Sequence, residues 1–285
     1  MPEGDTIHYA ALRVGGALAG HVPDRIVTPH PRFARDRWPE RLAGRPVEAV
    51  EARGKHLLLH FGGGLAIHSH LRMTGAWRVL PRGEPWPRSS HAAWLVIGYG
   101  DEDVVQFDGP VLELLTEARL RSDQLLRGLG PDIVAAAPFD EARFLRRLRE
   151  DDPTRTFGDA LLDQHTVAGI GNFWKSEGCW AAGVDPWRPL VAVSDGEALA
   201  VVRALRPLMQ RSAAGRPPGP LSHGLRPRRP RVSALRGGQP HPLAGPGRRR
   251  PHDLLVPLVS DVTRESGGDE RRAMKTASRV KIPSF

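Results

Sequence analysis

The sequence predicts an α+β protein: an antiparallel, β-sandwich-like N-terminal domain with flanking helices, then an all-helical domain, then a tail without regular structure. Three observations carry that expectation. Between about residues 45 and 109, short apolar runs with two-residue alternation are separated by Gly-rich turn signals. From Phe139 onward the apolar residues recur at helical spacing. From Ala213 to His252 neither period survives, and Pro, Gly and Arg make up 25 of the 40 residues, so this stretch is expected to be disordered.

Asp5 to about Ala19 has the spacing of an amphipathic helix, with Asp5 or Thr6 as its cap and Gly20 as a stop signal. Strand candidates follow in Arg45 to His60, in LAIHSHLRMTGAWRVL (65–80) after the turn Gly62-Gly63-Gly64, in AAWLVIGYG (92–100) and in DVVQFDG (103–109). The N-terminal domain is therefore expected over 1–116, a linker over 117–135, and the helical domain over 136–212. The helices of that domain are FDEARFLRRLRE, TFGDALLDQ, NFWKSEGCWAAG and SDGEALAVVRALRPLMQRSA, with the tail over 213–285. No internal repeat is visible.

Composition narrows the function classes. With one cysteine, Cys179, a disulfide framework is excluded, and in its Trp-rich segment that thiol reads as a small core hydrophobe. No apolar run approaches the ~18 residues of a membrane span and no leader pattern precedes the first helix, so a soluble, cytoplasmic protein is expected. The net charge of +9 invites a nucleic-acid partner. Its distribution qualifies that inference: residues 213–285 hold 15 Lys+Arg against 5 Asp+Glu, while residues 1–212 hold 26 against 27. Bulk basicity belongs to the tail, and any anion site in the body must be local.

Four short stretches carry chemistry. PEGDT opens the chain, and a small second residue allows Met1 to be removed and the secondary amine of Pro2 to be exposed. An α-amino group titrates near neutral pH, at about 7.7–8.0, and amines form Schiff bases with aldehyde-like carbons. The plain alternative is a solvated terminus. ARGKHLLLHF sets Lys55 between a Gly and an apolar strand, where it is either a solvated edge cation or an anion contact. HSHLRMTG follows one hairpin later; His68 and His70 fall on one side of a strand, but no further residues supply a metal-ligand set. QHTVAGIGNFWKSE reads as a helix end, a turn through Gly169-Ile170-Gly171, and a new helix opening at Asn172. Its free N–H groups suit a phosphate, and a simple inter-helix turn is the alternative.

In order and spacing, these four motifs resemble the formamidopyrimidine-DNA glycosylase and endonuclease VIII family over roughly residues 2–212. PEG and QFDGPVLELL (106–115) look closer to the endonuclease VIII branch, HLRMTG to the formamidopyrimidine branch, so the preferred oxidised base stays open. The resemblance implies a helix–two-turn–helix in the second domain. It implies a bifunctional DNA glycosylase and abasic-site lyase in which Pro2 attacks C1′ and displaces the base, with β- and δ-elimination following. Glu3 becomes the general acid/base and Lys55 the contact to the lesion's phosphate, with His70 and Asn172 as further phosphate contacts. Leu71 and Met73 become the wedge that fills the gap left by a flipped base. Thr6 stands where many relatives carry a second acid and is given no catalytic role; the Arg and Phe of a second loop are not recognisable. The implied partner is damaged double-stranded DNA, met by a nucleoid-associated monomer, with single-stranded and bubble DNA left open.

Such relatives usually end in a four-cysteine zinc hairpin, which this chain cannot build, since no Cys follows Cys179. No metal site or cofactor is therefore expected. With 37 Arg against 4 Lys, the gene reads as GC-rich. Shifting the frame forward by one nucleotide then turns the junctions Val232/Ser233, Leu235/Arg236, Val256/Pro257 and Val259/Ser260 into cysteine codons, spaced Cys-x2-Cys-x20-Cys-x2-Cys like a zinc ribbon. A frameshift between about 205 and 225 explains the tail. Without its metal the hairpin has no folding free energy, so weak, salt-sensitive DNA binding is expected, with abasic-site chemistry outlasting base excision. The competing expectation is a catalytically impaired member that binds damaged DNA without cutting it; a module sharing only the helix–two-turn–helix would have no reason to begin PEG.

Overall fold

The computed structural model describes residues 2–33 and 35–215. The expectations for the tail, including disorder, the shifted frame and the lost zinc hairpin, fall almost wholly outside the described residues.

Helix α1 (Gly4–Leu18) buries Ile7, Ala10, Ala11, Val14 and Leu18, a stripe at three- and four-residue spacing. Its N-cap residue, Glu3, makes no side-chain bond to the helix it precedes. The helix ends at an extended Ala19, followed by Gly20 at φ +83°.

Two four-stranded antiparallel sheets form the N-terminal domain. One is ordered β1 (Arg25–Val27), β6 (Ala93–Tyr99), β7 (Glu102–Phe107), β5 (Ala76–Pro81). The other is ordered β2 (Val47–Arg53), β3 (His56–Phe61), β4 (Leu65–His70), β8 (Val111–Thr116). Between them lies a core containing Leu57, Leu59, Phe61, Ile67, Leu95 and Val104, all fully buried. Each such side chain contributes about 1.5–3 kcal/mol on leaving water. A short helix α2 (Trp38–Leu42) seals the sandwich with Trp38 and Leu42.

Strand β3 is buried on both faces, which is why HLLLHF reads as an apolar run and not as an alternation. Its outward Leu58 packs with Ala66 under Leu120, Leu126 and Leu129. Those three come from the stretch 117–135, which holds two short helices, α3 (Glu117–Ser122) and α4 (Gln124–Gly128), capped by Thr116 and Asp123. The stretch expected as a linker thus carries two helices, and β1 and β8 are strands that local pattern does not set apart.

The second domain comprises α5 (Glu141–Glu150), α6 (Phe157–Leu162), α7 (Asn172–Ala182) and α8 (Asp195–Ala213), around Phe144, Leu148, Phe157, Leu161, Trp174 and Leu205. Asp140 and Thr156 cap α5 and α6, and Ser194 with Glu197 forms a reciprocal capping box on α8. Helix α7 alone of these four has a glycine, Gly171, at its N-cap, and no local side chain caps it. Ser212 of α8 donates to Asp5 of α1 at 2.6 Å, tying the domains together. Among the described residues, no helix is long and apolar enough to cross a membrane.

Candidate active site

The missing cap of α7 comes from the other end of the chain. Glu3, only 3% exposed, accepts from the backbone N–H of Phe173 through Oε1 at 2.9 Å, and from Gly171 and Trp174 through Oε2 at 2.9 and 3.3 Å. An anion at a helix N-terminus is favoured by both the free N–H groups and the dipole.

The glycines around this contact follow from it. Gly4 N–H donates to Gly169 O at 2.8 Å, so close that a Cβ on Gly4 would stand 2.7 Å from Gly169 Cα. A Cβ on Gly171 would stand 2.3 Å from Glu3 Cδ. PEG and GIG are thus two halves of one steric fit. Gln164 shapes the turn, accepting from Gly169 N–H at 3.0 Å and donating to the carbonyls of Leu162 and Ile170. Asn172 is the first residue of α7, with its side-chain oxygen accepting from Lys175 Nζ at 3.1 Å.

Lys55 lies in the β2–β3 turn, half-buried. Burial pushes its ammonium pKa down, and the nearby Glu3 carboxylate pulls the other way. That turn is held by Asp132, whose Oδ2 accepts from Gly54 N–H at 2.7 Å and pairs with His8 Nε2 at 2.9 Å. Burial alone would raise the Asp132 carboxyl, but the bonds from His8, Gly54 and Val134 outweigh it and leave it lowered.

His70 closes β4. Its Nδ1 accepts from Arg72 N–H at 3.1 Å, and burial first, then Arg72, His68 and Lys55, hold its pKa down to about 4. It is therefore a neutral donor through Nε2–H near neutral pH. Arg72 takes a left-handed φ of +51°, and Met73 beyond it is 67% exposed. Leu71, expected beside Met73 as a wedge, is instead 2% exposed within the sandwich core.

Pro2 borders a cavity of about 570 Å³ that Tyr9, Arg13, Met73, Trp77 and Arg88 also line; Lys55, His70 and Asn172 do not line it. Arg88, which no sequence signal singled out, donates to Asp108 at 2.8 Å and to Thr74 O at 2.9 Å, tying the 71–75 loop to the 106–110 segment. Asp108 there has φ +48°. Cys179 is buried, which pushes its thiol up to about 11. Among the described residues, no group of three or more His, Cys, Asp or Glu could hold a metal ion.

Two family descriptions match this chain. Residues 1–110 match the formamidopyrimidine-DNA glycosylase N-terminal domain, and residues 129–216 match the formamidopyrimidine-DNA glycosylase H2TH domain. The probable endonuclease 8 2 of Streptomyces coelicolor is 44% identical over 67% of this chain and 66% of its own length, just under two thirds. The endonuclease 8 2 of Mycobacterium tuberculosis is 38% identical over 72% of this chain and 76% of its own. In fold, the chain is similar to Lactococcus lactis Fpg in a complex with N7-benzyl-Fapy-dG-containing DNA, at TM-score 0.64 and 23% identity over 75% of this chain and 79% of that one.

Proposed function

Because this chain belongs to the formamidopyrimidine-DNA glycosylase and endonuclease VIII family, on the endonuclease VIII-like side, we propose that it is a DNA-repair glycosylase and abasic-site lyase that works through Pro2. A single observation carries this reading: the buried Glu3 carboxylate grips three amides of the α7 N-terminus and fixes the residue next to it, Pro2, at the mouth of a cavity.

With Met1 removed, the Pro2 nitrogen bonds to C1′ of a damaged nucleoside while the glycosidic bond breaks and the base leaves with its electron pair. The ring oxygen takes a proton as the sugar opens, and the amine becomes an iminium. That cation acidifies the C2′ proton; its loss expels the 3′ phosphate, and a second elimination expels the 5′ phosphate. Glu3 Oε2 is engaged by two N–H donors and Oε1 by one, so Oε1 keeps an open lone-pair direction and is the oxygen assigned to the proton transfer.

Lys55, half-buried, is proposed to take the phosphate beside the lesion as a point charge, with His70 as a neutral N–H donor and Asn172 as a further contact. Met73 is the exposed apolar side chain available to fill the vacated base position. The four cysteines of the family's zinc hairpin are not found in this sequence, whose one cysteine is buried in the helical core.

Sodium borohydride trapping on a duplex with an abasic site tests the reading. A covalent adduct is expected from the full chain, attached at the Pro2 nitrogen, and none once that terminal nitrogen is chemically blocked. Tight binding of the duplex without any adduct would overturn the lyase assignment and leave a damaged-DNA-binding member of the family.

A further inference from the structure

Beneath His70 lies a line of polar side chains that the proposed chemistry does not use. His56 and His70 face each other directly across β3 and β4, and His68 faces Glu113 across β4 and β8. Because side chains alternate along a strand, all four point to one face of the sheet. His56 Nδ1 lies 2.9 Å from His68 Nε2, and His68 Nδ1 lies 3.3 Å from Glu113 Oε2. The His56 and His68 rings stack at 5.1 Å, and the His70 ring meets His56 edge-on at 4.8 Å. His56 and His68 are 6% and 5% exposed.

We propose that Glu113 and His68 are positioning residues: through the line Glu113–His68–His56 they fix the ring against which His70 rests, and so aim the surface that His70 and Lys55 present to a phosphate. This rests on the reading above that these two residues take the lesion's phosphate.

The line has a direction. A carboxylate only accepts, so His68 carries a proton on Nδ1, and as a neutral ring it turns the Nε2 lone pair toward His56. His56 must then donate from Nδ1, which leaves its Nε2 bare. Burial, followed by the charges of its neighbours, holds His56 down to about 3, so it stays a neutral ring in this role. On the far side, Arg72 N–H already occupies His70 Nδ1, so the proton of His70 sits on Nε2. One outward donor remains, His70 Nε2–H, set over a ring whose own orientation is locked. Remove the carboxylate and His68 is free to move its proton to Nε2. Two N–H groups then meet between His68 and His56 until His56 moves its own proton to Nε2 or one ring turns, and either change alters the ring against which His70 rests.

Two substitutions separate this role from simple charge. Both Glu113→Ala and Glu113→Gln remove a negative charge, which by itself strengthens DNA binding. Only Gln keeps an oxygen that can accept from His68. For a duplex containing a tetrahydrofuran abasic-site analogue, we expect Glu113→Ala to bind about tenfold more weakly than the parent, the size of one lost charge-assisted hydrogen bond, and Glu113→Gln to bind at least as tightly. Equal or tighter binding by Glu113→Ala overturns the proposal.

Long-range 1H–15N spectra of the histidine-labelled full chain read the same line without DNA. They should show His56 and His68 protonated on Nδ1 and His70 on Nε2, with the His56 pattern changed in Glu113→Ala. A His56 protonated on Nε2 in the parent overturns the proposal. Because these spectra need no DNA, they judge the hydrogen-bonded line even if the functional reading falls.

Discussion

Gly4→Ala is the sharpest perturbation of the junction between the two domains. The added Cβ would stand 2.7 Å from Gly169 Cα and 2.9 Å from Gly169 O, against the roughly 3.5–4.0 Å that non-bonded carbons prefer, so the two backbones must separate by about 1 Å. That movement stretches the 2.8 Å bond from Gly4 N–H to Gly169 O and draws Glu3 away from the amides it caps. Overpacking of this kind costs about 1–3 kcal/mol, and at roughly 2–4 °C per kcal/mol for a unit of this size the melting midpoint should fall by about 2–12 °C. The effect on chemistry should be larger, since a displacement of about 1 Å at a reacting group can cost about 100-fold. The assay is the single-turnover rate of borohydride-trapped adduct formation on an abasic-site duplex, measured beside a thermal melt. Gly16→Ala, three turns along the same helix with nothing within 4 Å of the added Cβ, is the control and should gain about 0.5–1 kcal/mol. A Gly4→Ala protein with the parental trapping rate would refute the steric fit between PEG and GIG.

Three further outcomes follow from the described contacts. His60 is raised first by its bond to Glu51 and also by Glu117, so its stabilising contribution is complete below the unfolded value near 6.5 and fades as pH rises through the higher folded value. The difference in melting midpoint between the parent and His60→Gln should therefore be large at pH 6 and shrink on the alkaline side; a difference that grows with pH would contradict the pairing. Arg88→Ala frees the 71–75 loop from Asp108 while removing an ion pair that is more than one third exposed, so stability should change by no more than about 1 kcal/mol while the affinity for an abasic-site duplex falls about fivefold or more. Deleting residues 216–285 removes 15 Lys+Arg and 5 Asp+Glu, and the slope of log affinity against log salt concentration should flatten measurably; an unchanged slope would mean the tail makes no phosphate contact.

Much of this architecture was visible in local pattern. The spacing of Ile7, Val14 and Leu18 marks α1, and the helical apolar spacing of SDGEALAVVRALRPLMQRSA marks α8. The turn Gly169-Ile170-Gly171 is legible as a break before a helix start, but its spacing alone does not separate an anion site from a plain inter-helix turn. Other features rest on partners far along the chain and leave no local trace. Asp132 reaches His8 across 124 residues and Gly54 across 78, inside a stretch that reads as a connection. Strand β8 follows a Gly-Pro pair that looks like a terminator, yet its register with β4 puts Glu113 opposite His68. Leu71 looked like a wedge because it adjoins Met73, but the left-handed Arg72 between them sends one side chain into the core and the other outward. Arg88 had no pattern to distinguish it from the chain's many other arginines.

Chain ends are ordinarily the loosest part of a domain, but here the first acidic side chain closes on amides 168 to 171 positions downstream. The consequence reaches back to the ribosome. Until α7 has emerged, the nascent polypeptide carries the Glu3 carboxylate without the amides that it caps. A translation product abandoned before Gly171 has no partner for that carboxylate, and under the proposed chemistry its amino terminus would go unpositioned until the second lobe is built.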